Sequence, residues 1–122
     1  MARKYDQLFE SVKKNVREVD VQTLKSVIED RESTPVIIDV RERDEWEQGH
    51  VPGARFIPRG FLEMRVEEQV PDKDQPVYLY CAGGVRSIFA AQALQQLGYE
   101  NVISVSGGFG SWKDAGYSFD IP

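Results

Sequence analysis

The only cysteine of the chain stands where strand-like residues give way to helix-like residues. Cys81 follows the apolar residues 77–80, and the pattern after it is helical to Leu97. In open α/β sheets, ligands bind outside the carboxyl ends of the strands. The position therefore suits a reactive thiol, although a free cysteine at a strand end more often only packs in the core. The segment that follows the cysteine consists of Ala82, Gly83, Gly84, Val85, Arg86 and Ser87.

Two physical effects would activate a thiol in this segment. The backbone amides of residues 82–87 can converge on one centre, because Gly83 and Gly84 allow backbone angles that other residues resist. The start of the following helix adds partial positive charge. Both effects favour thiolate, so we expect the pKa of Cys81 to lie below the usual value of about 8.5. Arg86 adds a cation suited to an oxyanion substrate.

Strand-like and helix-like segments alternate along the whole chain. This alternation predicts an α/β domain with a parallel sheet covered on both faces. The predicted strands are residues 17–19, 36–40, 54–58, 77–80 and 101–105, and the predicted helices are residues 4–16, 21–30, 41–49, 60–70, 87–97 and 109–116. Apolar residues on one side of residues 4–16 predict either a helix packed on its own domain or a docking helix for a partner or a second copy.

The composition excludes several classes of protein. The 122 residues suit one domain, and a net charge of -5 gives no electrostatic reason for binding nucleic acid or an anionic membrane. The chain has no apolar run of the roughly 20 residues that a membrane span needs, and its beginning lacks the apolar core of a secretory signal. One cysteine excludes an intramolecular disulfide, and with His50 as the only histidine it disfavours a Cys/His zinc site. We therefore expect a cytoplasmic protein.

Three segments together resemble the single-domain rhodanese sulfurtransferases: IIDVRERDEWEQGHVPGARFIP, YCAGGVRS and GGFGSWKDAGY. The resemblance runs from about Val19 to Tyr117, so residues 1–16 become an N-terminal helical extension and residues 17–122 the rhodanese-like domain. It implies a three-layer α/β/α fold with a central five-stranded parallel sheet. It also implies that Cys81 takes sulfane sulfur from a donor such as thiosulfate or a persulfide, holds it as a persulfide, and passes it to cyanide or a thiol. The reaction would need no cofactor and no metal.

The resemblance and the local chemistry also assign the remaining candidate residues. Asp39 and Arg41 lie in a motif that the resemblance makes structural, and a charge inside an apolar strand needs a partner, so we expect an internal ion pair that supports the loops. His50 falls in a turn and is expected to be structural. Arg59 and Phe61 follow the third predicted strand and would line the substrate mouth, where Arg59 could pair with an anionic donor.

Alternative functions stay open at this point. A non-catalytic rhodanese-like binding or regulatory module is one, although such modules usually lack the cysteine. A phosphatase similar to the Cdc25 proteins is another. Phosphate-handling loops of that kind have one more residue between Cys and Arg than the four found here, so the tighter loop should suit a single sulfur atom better. A protein sulfur donor or acceptor and a homodimer are also compatible with the sequence.

Overall fold

The structure is a computed structural model and describes residues 3–122. A short 3₁₀ helix, Arg59–Phe61, precedes the fourth α-helix. The strands are β1 (Arg17–Val19), β2 (Val36–Asp39), β3 (Arg55–Phe56), β4 (Val77–Tyr80) and β5 (Val102–Val105). The helices are α1 (Lys4–Lys13), α2 (Val21–Glu29), α3 (Arg43–Glu47), α4 (Leu62–Gln69), α5 (Arg86–Gln96) and α6 (Gly108–Asp114).

The five strands form one parallel sheet in the order β1-β5-β4-β2-β3. Side chains of successive residues point to opposite faces of a strand, so both faces of this sheet are apolar and each is covered by helices. In β2, Ile38 joins the core under α4 and α5, whereas Ile37 joins the core under α2 and α6. This arrangement confirms the expected three-layer α/β/α fold.

Helix α1, within the predicted N-terminal extension, packs on the domain. Val12 is buried in the core on the α5 side, and the ring of Phe9 lies 5.9 Å from that of Phe89 in α5. The helix ends at Lys13, three residues earlier than the pattern indicates, because the chain turns at Asn15 and Val16 to enter β1 beside β5. Residues 1 and 2 of the extension lie outside the described part of the chain.

The carboxyl ends of β2 and β4 lie side by side at one edge of the sheet. Asp39 pairs with Tyr80 in the register, and the amide of Val40 donates to the carbonyl of Tyr80 at 3.0 Å. The segments that begin at Val40 and at Cys81 therefore leave the sheet as neighbours. Helix α5 begins at Arg86, one residue earlier than predicted. Among residues 3–122, no helix has the length and apolar character needed to span a membrane.

Candidate active site

The Cys81 thiol lies at the centre of the loop that joins β4 to α5. Cys81 is 1% exposed, and its Sγ accepts a hydrogen bond from the amide of Gly84 at 3.1 Å. Gly84 has φ of +97°, and a Cβ there would approach the amide nitrogen of Gly107 to 3.2 Å. Glycine therefore permits the backbone turn that aims this amide at the sulfur.

Helix α6 holds the outer side of the loop. The carbonyls of Cys81 and Ala82 accept hydrogen bonds from the amides of Phe109 and Gly110, at 2.8 and 3.0 Å. The first amides of a helix have no partner within the helix, so the start of α6 supplies free donors for these loop carbonyls. A Cβ at Gly108 would lie 2.3 Å from the Cys81 carbonyl oxygen. The close approach of α6 to the loop therefore requires glycine at this position.

A buried pair of serines lies on the inner side of the thiol. The Oγ of Ser87 lies 3.6 Å from Cys81 Sγ and 2.8 Å from the Oγ of Ser104 in β5. Both serines are fully buried. Ser104 thus orients the Ser87 hydroxyl. The Cys81 thiol donates to the Ser87 oxygen, and once the thiol is ionised the hydroxyl can donate to the sulfur in addition to the backbone amides.

The hydrogen bonds and the burial have opposite effects on the thiol. Burial alone raises the pKa of Cys81, because it removes the charged form from water. Hydrogen bonds from the side chain and amide of Ser87 and from the amides of Gly84 and Gly83 oppose it. Together they outweigh the burial, so the pKa of Cys81 lies below its ordinary value. The loop therefore stabilises an anionic sulfur.

Arg86 does not stand free beside the loop. Its guanidinium donates two hydrogen bonds to the Glu45 carboxylate of α3, Nη1 to Oε1 at 2.7 Å and Nη2 to Oε2 at 2.9 Å. Glu45 Oε1 also accepts from the amide of Glu42 at 3.0 Å. The bond to Arg86, helped by that amide, lowers the pKa of Glu45 to about 2, although partial burial opposes it. The same bond raises the pKa of Arg86 above its ordinary value.

Asp39 and Arg41 form a buried ion pair at the end of the neighbouring strand. The Nη2 of Arg41 lies 2.7 Å from Asp39 Oδ2 and also 2.7 Å from the carbonyl oxygen of Gly49. The hydroxyl of Tyr80 donates to Asp39 Oδ2 at 2.7 Å and accepts from the amide of Val51 at 3.0 Å. Burial raises the pKa of Tyr80, with help from the adjacent carboxylate. This network ties β2 and β4 to the turn at residues 49–51.

Two of the expected pocket residues lie on the segment after β3. The amide of Arg59 donates to the Val40 carbonyl at 3.1 Å, and its guanidinium pairs with Glu63 at 2.8 Å. The ring of Phe61 is 44% exposed, with the Arg65 guanidinium 4.3 Å from its centroid. Arg59 therefore has a partner on its own segment, and its contact with a donor stays a prediction.

His50 lies in a stacked aromatic contact. Its ring lies 3.6 Å from that of Trp46, which in turn stacks on Phe56 of β3. The main chain of His50 bridges to Asp120 by hydrogen bonds in both directions at 2.9 Å. These contacts account for the residue as part of the turn. Among residues 3–122, no group of three or more His, Cys, Asp or Glu side chains is arranged to hold a metal ion.

A cavity of about 290 Å³ opens between the loop and helices α3 and α6. Ala82 forms its edge on the loop side, and Glu45 its edge on the α3 side. The cavity gives a small molecule a place beside the loop. Its walls are formed by Arg41, Glu45, Gln48, Ala82, Phe109, Gly110, Lys113 and Phe119.

Sequence reasoning missed four residues that contribute to this site. Glu45 is 41 positions from Arg86 and sits in a helix rich in charges, so no local pattern singles it out. Ser104 reads as an ordinary member of a buried strand. The amides of Phe109 and Gly110 become visible only when α6 is placed against the loop. The paired glycines Gly107 and Gly108 do predict that this segment approaches the pocket, since such glycines indicate a close backbone approach, but they do not predict which amides it supplies.

Comparison with known proteins assigns the chain to a family. The model of the rhodanese-like domain matches residues 20–115. A protein of Allochromatium vinosum named sulfurtransferase is 34% identical over 107 residues, which cover 88% of this chain and 97% of that protein. The uncharacterized protein YqhL of Bacillus subtilis is 49% identical over 76 residues, which cover 62% of this chain and 59% of that protein.

A solved structure extends the likeness to nearly the whole chain. It is a protein of unknown function from Rhodopseudomonas palustris, RPA3614, described as a possible tyrosine phosphatase. It superimposes with a TM-score of 0.86 at 30% identity and covers 98% of this chain and 96% of its own. Because the family model matches residues 20–115 and a relative named sulfurtransferase is 34% identical over 88% of the chain, the chain belongs to the family of rhodanese-like domains.

Proposed function

We propose that the protein is a sulfurtransferase that carries sulfane sulfur on Cys81. The observation that carries the proposal is a buried Cys81 Sγ with the Gly84 amide at 3.1 Å and the Ser87 hydroxyl at 3.6 Å. These donors suit a small sulfur anion and place no strong base next to it. A persulfide is such an anion, and it would keep its negative charge within the same group of donors.

The reaction would run in two half-reactions. The Cys81 thiolate attacks the outer sulfur of thiosulfate, the bond between the two thiosulfate sulfurs breaks, and sulfite leaves with the electron pair. The terminal sulfur of the resulting persulfide is then attacked by cyanide or by a thiolate. Thiocyanate or a new persulfide leaves, and the Cys81 thiolate is regenerated. Because the enzyme holds the sulfur between two substrates, ping-pong kinetics are expected.

The two alternative functions have less support. The loop has four residues between Cys81 and Arg86, one fewer than the loops of Cdc25-like phosphatases, and this tighter loop suits a single sulfur atom better than a tetrahedral phosphate. A purely binding module would not need hydrogen bonds that lower the pKa of a buried thiol.

The test is the intact mass of the protein after incubation with thiosulfate, before and after addition of cyanide. The wild-type protein should gain one sulfur atom and lose it to cyanide as thiocyanate appears. Cys81→Ser should gain none, because an alcohol at this position does not form the persulfide, and it should keep the wild-type circular dichroism spectrum.

Three outcomes would count against the proposal. Sulfur transfer by the folded Cys81→Ser protein would refute the Cys81 mechanism. Release of p-nitrophenol from p-nitrophenyl phosphate, without any gain of sulfur, would favour the phosphatase. An unchanged mass after both thiosulfate and polysulfide, on a folded protein with a free thiol, would leave the binding module as the better explanation.

A further inference from the structure

Two arginines beside the Cys81 loop are held in ion pairs, whereas Lys113 in the wall of the adjacent cavity forms no salt bridge within residues 3–122. Arg86, the cation nearest the loop in sequence, gives two hydrogen bonds to Glu45. Arg41, a cation in the wall of the adjacent cavity, is paired with Asp39 at 2.7 Å. Two of the cations that a dianionic substrate would need are therefore already neutralised.

Glu45 lies between the cavity and Arg86, the first residue of α5 after the loop. It lines the cavity beside Ala82, and its carboxylate holds the two Nη atoms of Arg86. A planar guanidinium held at both ends by a carboxylate has a fixed orientation, and the ion pair as a whole has little net charge. The amide of Glu42 at 3.0 Å fixes the carboxylate in turn.

We propose that Glu45 is a specificity-determining residue that neutralises Arg86 and so disfavours sulfur donors with a doubly charged head group. This inference rests on the proposed function, which it refines by naming the preferred charge of the donor. Thiosulfate carries two negative charges. A thiosulfonate such as methanethiosulfonate has the same sulfur–sulfonyl linkage but only one charge, and it releases methanesulfinate in place of sulfite. The site should accept the singly charged donor more readily.

The experiment compares the two donors on matched variants. The readout is the ratio of kcat/KM for thiosulfate to kcat/KM for methanethiosulfonate. Glu45→Gln keeps the shape of the side chain and removes the charge, so this ratio should rise about fivefold. Glu47→Gln is the control. It makes the same change of charge in the same helix, at a side chain that is 59% exposed and 4.0 Å from Arg43, and the ratio should stay at the wild-type value.

Changing both partners sharpens the test. Arg86→Gln leaves Glu45 uncompensated, so the ratio should fall. The double variant Glu45→Gln/Arg86→Gln has no charge on either side chain, as the wild-type pair has no net charge, and its ratio should return close to the wild-type value. An unchanged ratio in folded Glu45→Gln, or an equal rise in Glu47→Gln, would overturn the inference.

A second measurement does not depend on sulfur transfer. Iodoacetate and iodoacetamide alkylate the same thiolate and differ by one negative charge. The ratio of the iodoacetate rate to the iodoacetamide rate is divided by the same ratio measured for 2-mercaptoethanol, a thiol without a protein environment. Wild-type Cys81 should show no preference for iodoacetate, and Glu45→Gln should raise the ratio. Preference of the wild type for iodoacetate, lost at high salt, would overturn the inference even if Glu45→Gln did not fold.

The two proposals can fail separately. A charge effect on alkylation in a protein that transfers no sulfur would support the neutralisation of Arg86 by Glu45 and would refute the sulfurtransferase. Sulfur transfer by a Glu45→Gln protein whose kcat/KM ratio for the two donors is unchanged would support the sulfurtransferase and refute the role of Glu45. A Cys81 thiol that reacts with neither donor and neither alkylating agent would overturn both.

Discussion

Strands β2 and β4 are neighbours and end at the same edge of the sheet, but the polar groups at their two ends make different kinds of contact. At the end of β2, the carboxylate of Asp39 accepts hydrogen bonds from the amide and guanidinium of Arg41 and from the hydroxyl of Tyr80. After β4, backbone amides and one hydroxyl surround a single sulfur atom, Cys81 Sγ. The first segment satisfies a buried charge with another charge, whereas the second offers donors to an atom that can gain and lose a group.

This difference separates a structural role from a chemical one. Removing one partner of a buried ion pair leaves a charge without compensation, and the cost falls on folding. Removing one donor from the sulfur changes the energy of an anion that the reaction itself creates, and the cost falls mainly on reactivity. Variants in the two segments should therefore affect different measurements.

The largest effect on stability should come from the β2 segment. Asp39→Asn keeps the size of the side chain but leaves Arg41, which is 4% exposed, without its counter-charge. We expect the free energy of unfolding to fall by about 3–5 kcal/mol, measured by urea denaturation. The exposed acid Asp44 in α3 gives the control, and Asp44→Asn should cost less than about 1 kcal/mol. Equal decreases in the free energy of unfolding of the two variants would contradict a structural role for the ion pair.

The contact between α6 and the loop should come next. Gly108→Ala places a Cβ 2.3 Å from the Cys81 carbonyl oxygen at a residue with φ of +52°. We expect a loss of about 2–3 kcal/mol, together with slower alkylation of Cys81 by iodoacetamide, because α6 can no longer hold the loop carbonyls. Gly60→Ala, where nothing lies within 4 Å of the added Cβ, is the control. A folded Gly108→Ala protein with wild-type stability and thiol reactivity would contradict this account.

A smaller effect on stability, but a clear one on reactivity, should follow from Ser87→Ala. The change removes the hydroxyl 3.6 Å from Cys81 Sγ and leaves the buried Ser104 hydroxyl without its partner, at a cost of about 1–2 kcal/mol. The pKa of Cys81, followed by thiolate absorbance at 240 nm, should rise because a donor to the anion is lost. Ser104→Ala should raise it less, since Ser104 acts only through Ser87. An unchanged pKa in Ser87→Ala would assign the serine to packing alone.

The smallest effect should be a dependence of stability on pH that belongs to the thiol. The pKa of Cys81 is lower in the folded protein than in the unfolded chain, where a thiol has a value of about 8.5. The stabilisation is therefore fully present above the unfolded value and is lost as the pH falls through the folded value. As the pH rises through that window, the free energy of unfolding of the wild type should increase relative to that of Cys81→Ala. Urea denaturation at several pH values measures this difference. Parallel pH profiles for the two proteins would contradict a lowered pKa.

Much of the fold could be predicted from local pattern. The apolar strand residues at 36–39 and 77–80 and the helical spacing after Arg86 are properties of short segments, and the structure has elements there. Boundaries were less certain, because they depend on neighbours. Helix α1 ends at Lys13 since the chain must reach β1 beside β5, and the segment after β3 begins with a 3₁₀ turn before α4.

The sequence by itself determined the reactive atom and its immediate backbone. A single cysteine after an apolar strand, followed by two glycines and a helix, places the thiol among amides, because strand, turn and helix geometry are local. Only the tertiary structure decided which groups from other elements contact Arg86, Ser87 and the loop carbonyls. Glu45 reaches Arg86, Ser104 reaches Ser87, and α6 reaches the loop carbonyls across gaps of 17 to 41 residues or between separate elements. Electrostatic energy depends on distance in space, and sheet order sets that distance.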